Sequence, residues 1–452
     1  MKKNKAIIGV IFLLTLLATV FLSRLTPTTI ISTEKTTINN LNYVSTPKTS
    51  ATPVSYQNFT TFDPVDSVSI SGDGKYIAVT SNENITLFNR TTEIKMWNFT
   101  TNDPNMEAKI SATGEFITVM LSTPPYNNVI LLFNKTFSTN KKPMWNYTLI
   151  DKVNSIDISA DGTRIVVGGN DQNVTLLDNE ISGNKLPIWT YNVTEIVKSV
   201  AISADGNYVA AGHDTNVTIF DTALGTPIWS YNVSNTIEEV DISADGRYIV
   251  VAHHDNISLL DSTTKTRLWK YDHREGYHVE NVEISADGKY IIARAWNSFK
   301  VVFDNAGFFD NSIADPKLSR WNYCPSSISQ VGISDDGRYA IAGFHTNISL
   351  LDRTASATKE HLWEYEMEGY FASGDISAIG DYIVAGCNTG KVYLFYHDVP
   401  IPPALLFLLG DDDDDDDDEP AIPFGNYSLI FIALGILSLI VVYRRKLFTN
   451  KN

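Results

Sequence analysis

Three short turns in this 452-residue chain gather side chains that could hold a metal ion. His213-Asp214, His253-His254-Asp255 and His345 occupy equivalent places, with Asn170-Asp171 in a related one. Imidazole nitrogens and carboxylate oxygens are donors suited to a transition metal or a polar ligand. His213, Asp214, His254, Asp255 and His345 are therefore the candidate metal-binding set. The competing reading is that His, Asp and Asn are simply turn residues of similar repeats.

A second set stands two residues before the serine of a recurring Ile-Ser pair: Ser69, Lys109, Asp157, Ala201, Asp241, Glu283, Gly332 and Asp375. Carboxylates repeated at one register position could attract cations, or could merely line a water-filled passage. Beyond these, the chain has no phosphate-cradling glycine loop, no His-Glu-x-x-His and no Gly-x-Ser-x-Gly. No catalytic residue and no cofactor is implied by these patterns.

The elements that must carry both sets are repeats. Ile-Ser pairs end at Ser71, Ser111, Ser159, Ser203, Ser243, Ser285, Ser334 and Ser377, spaced 40 to 49 residues apart. A glycine follows each serine by three positions, and an aromatic follows the glycine by two in every copy except at Arg164. The stretch Val240 to Asp261 shows the unit plainly: short apolar segments separated by tight polar turns. A fourth segment is marked by Trp97, Trp145, Trp189, Trp229, Trp269, Trp321 and Trp363, each with an aromatic two residues on. Eight units thus have seven marked fourth strands. The segment Tyr56 to Thr60 supplies the missing one, because 58–64 nearly duplicates 98–104. Four-stranded sheets arranged radially bury their faces on each other, and pairing the first strand with the last unit removes the open edge. The expectation is an all-β, eight-bladed β-propeller over residues 56–397, closed by an N-terminal strand, with hydrophobic helices at both chain ends.

The Ser-Ala-Asp-Gly-Arg-Tyr-Ile-Val-Val-Ala segment resembles the second-strand region of WD-repeat propellers. Asp221 to Trp229 resembles the Asp-to-Gly-to-Trp docking motif of pyrroloquinoline-quinone-like propellers, and Asp261 to Trp269 keeps its spacing without the glycine. The resemblance implies that the tryptophans are a structural girdle between blades. It leaves function open, since such folds host both enzymes and scaffolds.

Outside the repeats, three lysines precede an apolar run from Ala6 to Leu22, so residues 1–24 read as a signal peptide or an uncleaved signal anchor. Residues 25–55 are a Thr/Ser/Pro-rich linker, and 398–421 a Pro-rich and poly-Asp spacer. An apolar segment at 422–443 precedes the basic tail 444–452. It reads as a transmembrane helix with a cytoplasmic tail, or as the helix of a surface-protein sorting signal. Both arrangements place the propeller outside the cell, attached to the membrane through terminal helices.

Fifty-two acids against 35 bases give a formal charge of −17, with no basic patch of the kind that binds nucleic acid. The only cysteines, Cys324 and Cys387, could form a disulfide or remain two buried thiols. On an exported domain the Asn-x-Ser/Thr sequons are glycosylation candidates, in particular Asn58, Asn98, Asn146, Asn192 and Asn232. Asn84, Asn173, Asn216, Asn256 and Asn347 each open a third strand, where a turn Asn is expected anyway. Two functions compete. One is a noncatalytic cell-surface scaffold for a protein or glycan partner, with the irregular second unit (Pro124-Pro125) and sixth unit (Phe308-Phe309) as interaction sites. The other is an exported quinoprotein-like oxidoreductase or another propeller enzyme.

Overall fold

The computed structural model describes residues 55–397, apart from 62, 122, 125–127, 181–184, 255, 273–277, 296–297, 305–327 and 355–360. These residues form antiparallel β-sheets that succeed one another along the chain, a β-propeller arrangement. Sheets 1 to 5 comprise residues 65–100, 106–148, 153–192, 197–232 and 237–272. Sheet 6 covers 279–304, sheet 7 covers 328–366, and sheet 8 covers 371–396 together with Ser55–Thr60. Seven of the sheets are four-stranded. Sheet 6 shows three strands, and Trp321, which should mark its fourth, lies outside the described residues.

Closure occurs where the sequence places it. Ser55–Thr60 pairs antiparallel with Lys391–Tyr396, with Asn58 opposite Tyr393. The first strand of each sheet touches the first strand of the next, and Phe371–Ile376 of sheet 8 touches Val65–Ile70 of sheet 1. First strands therefore form the inner ring and fourth strands the rim.

Each hairpin between first and second strands is built by its serine. Ser243 Oγ accepts the amide of Tyr248 at 2.9 Å and donates to Asp245 Oδ1 at 2.7 Å, while Asp245 Oδ1 takes the amide of Arg247. Gly246 sits at φ 73°, a conformation that costs a side-chain-bearing residue energy. It is also crowded from outside the hairpin, because a Cβ there would lie 2.3 Å from the ring of Tyr208 in the preceding sheet. The same aromatic-on-glycine contact recurs around the ring and closes it, with Tyr382 against Gly74. Glycine and aromatic, five residues after the serine, are thus partners between neighbouring sheets.

Second strands are covered on both faces and read as unbroken apolar runs. Ile249, Val250, Val251 and Ala252 have no exposed surface. Among the described residues there is no helix long and apolar enough to cross a membrane. The expected hydrophobic helices at 1–24 and 422–443 lie outside the described residues, as do the spacer and tail.

Candidate functional site

The inner ring is the natural place to look for chemistry, since every sheet contributes side chains to one axial channel. A first strand is a sheet edge, and its outward-facing amides have no strand to pair with. The eight isoleucines of the Ile-Ser pairs present eight such amides, and polar side chains at the preceding position answer all of them. Asp375 Oδ2 accepts from Ile70 at 2.9 Å, Ser69 Oγ from Ile110 at 3.3 Å, and Asp157 Oδ2 from Ile202 at 2.8 Å. Asp241 Oδ2 accepts from Ile284 at 2.8 Å and Glu283 Oε2 from Ile333 at 3.0 Å. Every one of these bonds runs from one sheet to the next.

The three remaining isoleucines follow Lys109, Ala201 and Gly332 around the ring, none of which has a side-chain acceptor. At those places the strand's own aspartate turns its second oxygen back. Asp157 Oδ1 accepts from Ile158 at 2.9 Å, Asp241 Oδ1 from Ile242 at 2.8 Å, and Asp375 Oδ1 from Ile376 at 2.8 Å. The distribution of acids around the channel follows from which neighbour can already accept. A second tier two residues earlier works in the same way. Ser155 Oγ takes the amide of Val200 at 3.1 Å, Ser199 that of Val240 at 3.1 Å, and Glu239 Oε2 that of Val282 at 2.7 Å. This role for the channel residues was not expected from the sequence. Its one available sign was the matching register of polar residues on edge strands.

The carboxylates are half-buried and electrostatically strained. Burial pushes Glu239 and Asp241 up to about 7 and raises Asp157 and Asp375, while Glu283 lies well above the ordinary carboxylate range. Lys109 is the cation among them. Burial works against its charge, but Glu107, Asp157, Glu283 and Asp375 hold its ammonium above the ordinary lysine range. It is accessible to the lumen while enclosed by the ring. Toward the start of the first strands the channel opens into a cavity of about 490 Å3 bordered by Asp66, Glu107, Lys109, Glu283 and Gln330. At the hairpin mouth a cavity of about 280 Å3 meets isoleucines from all eight sheets. The arrangement binds amides and balances charge.

The His/Asp turns have a conformational explanation. Asp214, His254 and His345 occupy φ 45°, 51° and 47°, and Asn82 takes φ 47° at the equivalent turn of sheet 1. Asn, Asp and His tolerate this left-handed region better than other side chains. His213 is not a turn ligand but a buried strand residue, its Nε2 2.9 Å from Thr218 Oγ1. His253 makes the corresponding contact to Ser258 at 2.8 Å. Among the described residues no group of three or more His, Cys, Asp or Glu is placed to hold a metal ion. Asp255 lies outside the described residues.

The tryptophans sit between sheets. Trp97 stacks on Phe133, Trp189 on Phe220 and Trp363 against Phe395, each with centroids 5.2 to 5.5 Å apart. Trp189 Nε1 donates to the Thr222 carbonyl at 2.8 Å, and a Cβ on Gly225 would lie 2.8 Å from its ring. Elsewhere a lysine replaces the glycine contact, with Lys141 Nζ 5.0 Å from the centroid of the Trp97 ring and Lys185 Nζ 5.2 Å from that of Trp145. Trp145, Trp229 and Trp269 occupy the same fourth-strand position, while Trp321 lies outside the described residues. Cys387 is buried with Sγ 3.0 Å from Thr389 Oγ1, and Cys324 falls outside the described residues. Most of both irregular insertions, at 125–127 and 305–327, also falls outside.

Comparison with known protein families agrees with this geometry. Residues 170–302 match the family described as Outer membrane protein assembly factor BamB. Residues 146–178 match the family described as WD domain, G-beta repeat. The chain therefore carries β-propeller repeats of the WD and quinone-like kinds. No curated protein matches the chain.

Proposed function

We propose that the chain is an exported, membrane-anchored surface protein whose eight-bladed β-propeller is a noncatalytic scaffold for a protein or glycan partner. The observation that carries the scaffold reading is the use of the channel carboxylates. Asp157, Asp241, Glu283 and Asp375 are engaged by backbone amides of neighbouring strands, so the polar ring serves closure rather than a reaction. The match to a family named for an assembly factor favours the same class. Eight inner strands in cyclic contact support the blade count. Anchoring and outward orientation rest on the lysines before residues 6–22 and the Arg444-Arg445-Lys446 cluster after the second apolar segment.

Thermal unfolding of the full chain with pyrroloquinoline quinone, calcium and chelator tests the scaffold reading. A ligand at 100-fold over its dissociation constant adds about 2.7 kcal/mol. No shift is expected, and a quinone-dependent rise in melting temperature would transfer the chain to the oxidoreductases. Membrane-impermeant biotinylation of intact cells tests the location, with labelling of the propeller lysines expected. Protection equal to that of a cytoplasmic control would overturn it.

A further inference from the structure

We infer that the propeller carries N-linked glycans along the outer edges of five consecutive blades, 8, 1, 2, 3 and 4, through Asn58, Asn98, Asn146, Asn192 and Asn232. This rests on the exported reading above. The sequence alone offers sequons on third and fourth strands alike, and the fold separates them. A transferase must reach the Asn amide and the hydroxyl two residues on. On the fourth strands that hydroxyl belongs to Thr60, Thr100, Thr148, Thr194 or Ser234, and all five residues are exposed. At the five sequons that open third strands it belongs to Thr86, Thr175, Thr218, Ser258 or Ser349, and all five are buried. Two more sequons end third strands, at Asn89 and Asn134, with exposed Thr91 and Thr136. There Asn89 is buried and accepts the amides of Thr91 and Thr92, and Asn134 Oδ1 accepts from Lys141 Nζ at 2.7 Å.

The asparagines divide in the same way. Asn58, Asn146, Asn192 and Asn232 are exposed, and Asn98 is half-buried. The third-strand asparagines serve as acceptors for the outer ones. Asn84 Oδ1 accepts from Asn98 Nδ2 at 3.0 Å, Asn173 Oδ1 from Asn192 Nδ2 at 3.1 Å, and Asn216 Oδ1 from Asn232 Nδ2 at 3.0 Å. Asn256 is 6% exposed, and Asn347 is tied to Glu364.

The five sequons form an arc. Ser55–Thr60 joins blade 8, which stands beside blade 1, so Asn58 precedes Asn98 around the ring as it does along the chain. A fourth strand is an unpaired sheet edge, and exposed edges need protection against pairing with other chains. Blades 5 and 7 have no sequon there. Lys270 and Asp272, and Glu364 and Glu366, occupy the positions one and three after tryptophan that carry the asparagines in blades 1 to 4. Charged residue types at those positions would guard those edges, and glycan would guard the others. In the modification, Asn Nδ2 bonds to the anomeric carbon of an oligosaccharide. The bond from that carbon to the phosphate of a lipid-linked donor breaks, and the amide proton is lost with the phosphate leaving group.

Peptide mapping by mass spectrometry of the full chain from its own host tests this, with intact-cell biotinylation on the same culture. Glycan at the fourth-strand sites and bare Asn84, Asn173, Asn216, Asn256 and Asn347 is expected, and Asn146→Gln should remove one glycan mass. Bare asparagine at all five fourth-strand sites, or equal occupancy of the third-strand sites, overturns the inference. If the cells label and the glycans are missing, the glycan arc falls while the surface scaffold stands. If neither appears, the surface reading has failed and the arc with it.

Discussion

Asp375 Oδ2 accepts the backbone amide of Ile70 at 2.9 Å, joining residues 305 positions apart and the last blade to the first. The same oxygen takes Ser69 Oγ at 3.1 Å, and its partner oxygen takes the amide of Ile376. Asp375→Ala strands two amides. Each orphaned buried donor costs about 1–3 kcal/mol, and lumen water offsets part of this at a half-buried position. The expected loss is about 2 kcal/mol, read as a lower urea midpoint with an unchanged slope.

Much of this fold was legible in the sequence because its determinants are local and repeated. The Ser-x-x-Gly turn and the apolar second strand each appear in a few contiguous residues. So does the Trp-marked fourth strand. The duplicated segment at 58–64 even disclosed which strand closes the ring. What stayed hidden was contact between repeats. Gly246 reads as a turn residue, yet Tyr208 from another blade also requires it. Asp241 reads as a channel charge, yet its neighbour Ala201 decides that it must serve two amides. The His213-Asp214 and His254 turns are ambiguous in sequence because the backbone's preference for left-handed φ selects the same residue types as a metal would.

The closing strand should matter more than its six residues suggest. Phe59 is 8% exposed and packs on Phe88 of blade 1 with centroids 4.8 Å apart, so Ser55–Thr60 seals both an edge and a blade interface. Phe59→Ala should cost about 3–4 kcal/mol, as for other buried phenylalanines. A chain beginning at residue 62 should expose Lys391–Tyr396 as a free edge and associate. Size-exclusion chromatography at increasing concentration would show the shift to larger species, and a monomer throughout would mean the closure is dispensable.

Gly225 and Trp189 offer a test of the inter-blade girdle. Gly225 has φ 64°, and its missing Cβ leaves room for the indole. Gly225→Ala combines about 1 kcal/mol of backbone strain with a clash against an aromatic ring, for an expected total of about 2–3 kcal/mol. Trp189→Phe keeps a ring against Phe220 but loses the bond to the Thr222 carbonyl, for about 1–2 kcal/mol. In the double mutant the smaller ring should relieve the clash. A thermal-unfolding cycle should therefore show less than the sum of the two single losses, whereas strict additivity would mean the two residues do not share an interface.

The channel predicts an unusual dependence on acidity. Glu239 and Asp241 titrate near 7 in the fold because burial disfavours their charged forms. A carboxyl raised by folding contributes stability that is complete below about 4 and is lost as pH rises through about 7. The propeller should therefore gain melting temperature between pH 8 and pH 6. His213 acts the other way. Burial lowers it, so its contribution is lost as pH falls below the ordinary histidine range. Glu239→Gln keeps an acceptor for the Val282 amide and removes one titrating group, so the slope should flatten by up to about 1.4 kcal/mol per pH unit. Lys109→Met removes the cation that favours ionisation of Asp157, Glu239, Asp241, Glu283 and Asp375. Its cost should be larger at pH 8, where those groups must carry charge, than at pH 5. Urea unfolding at the two pH values separates this from simple packing loss, which would be equal at both.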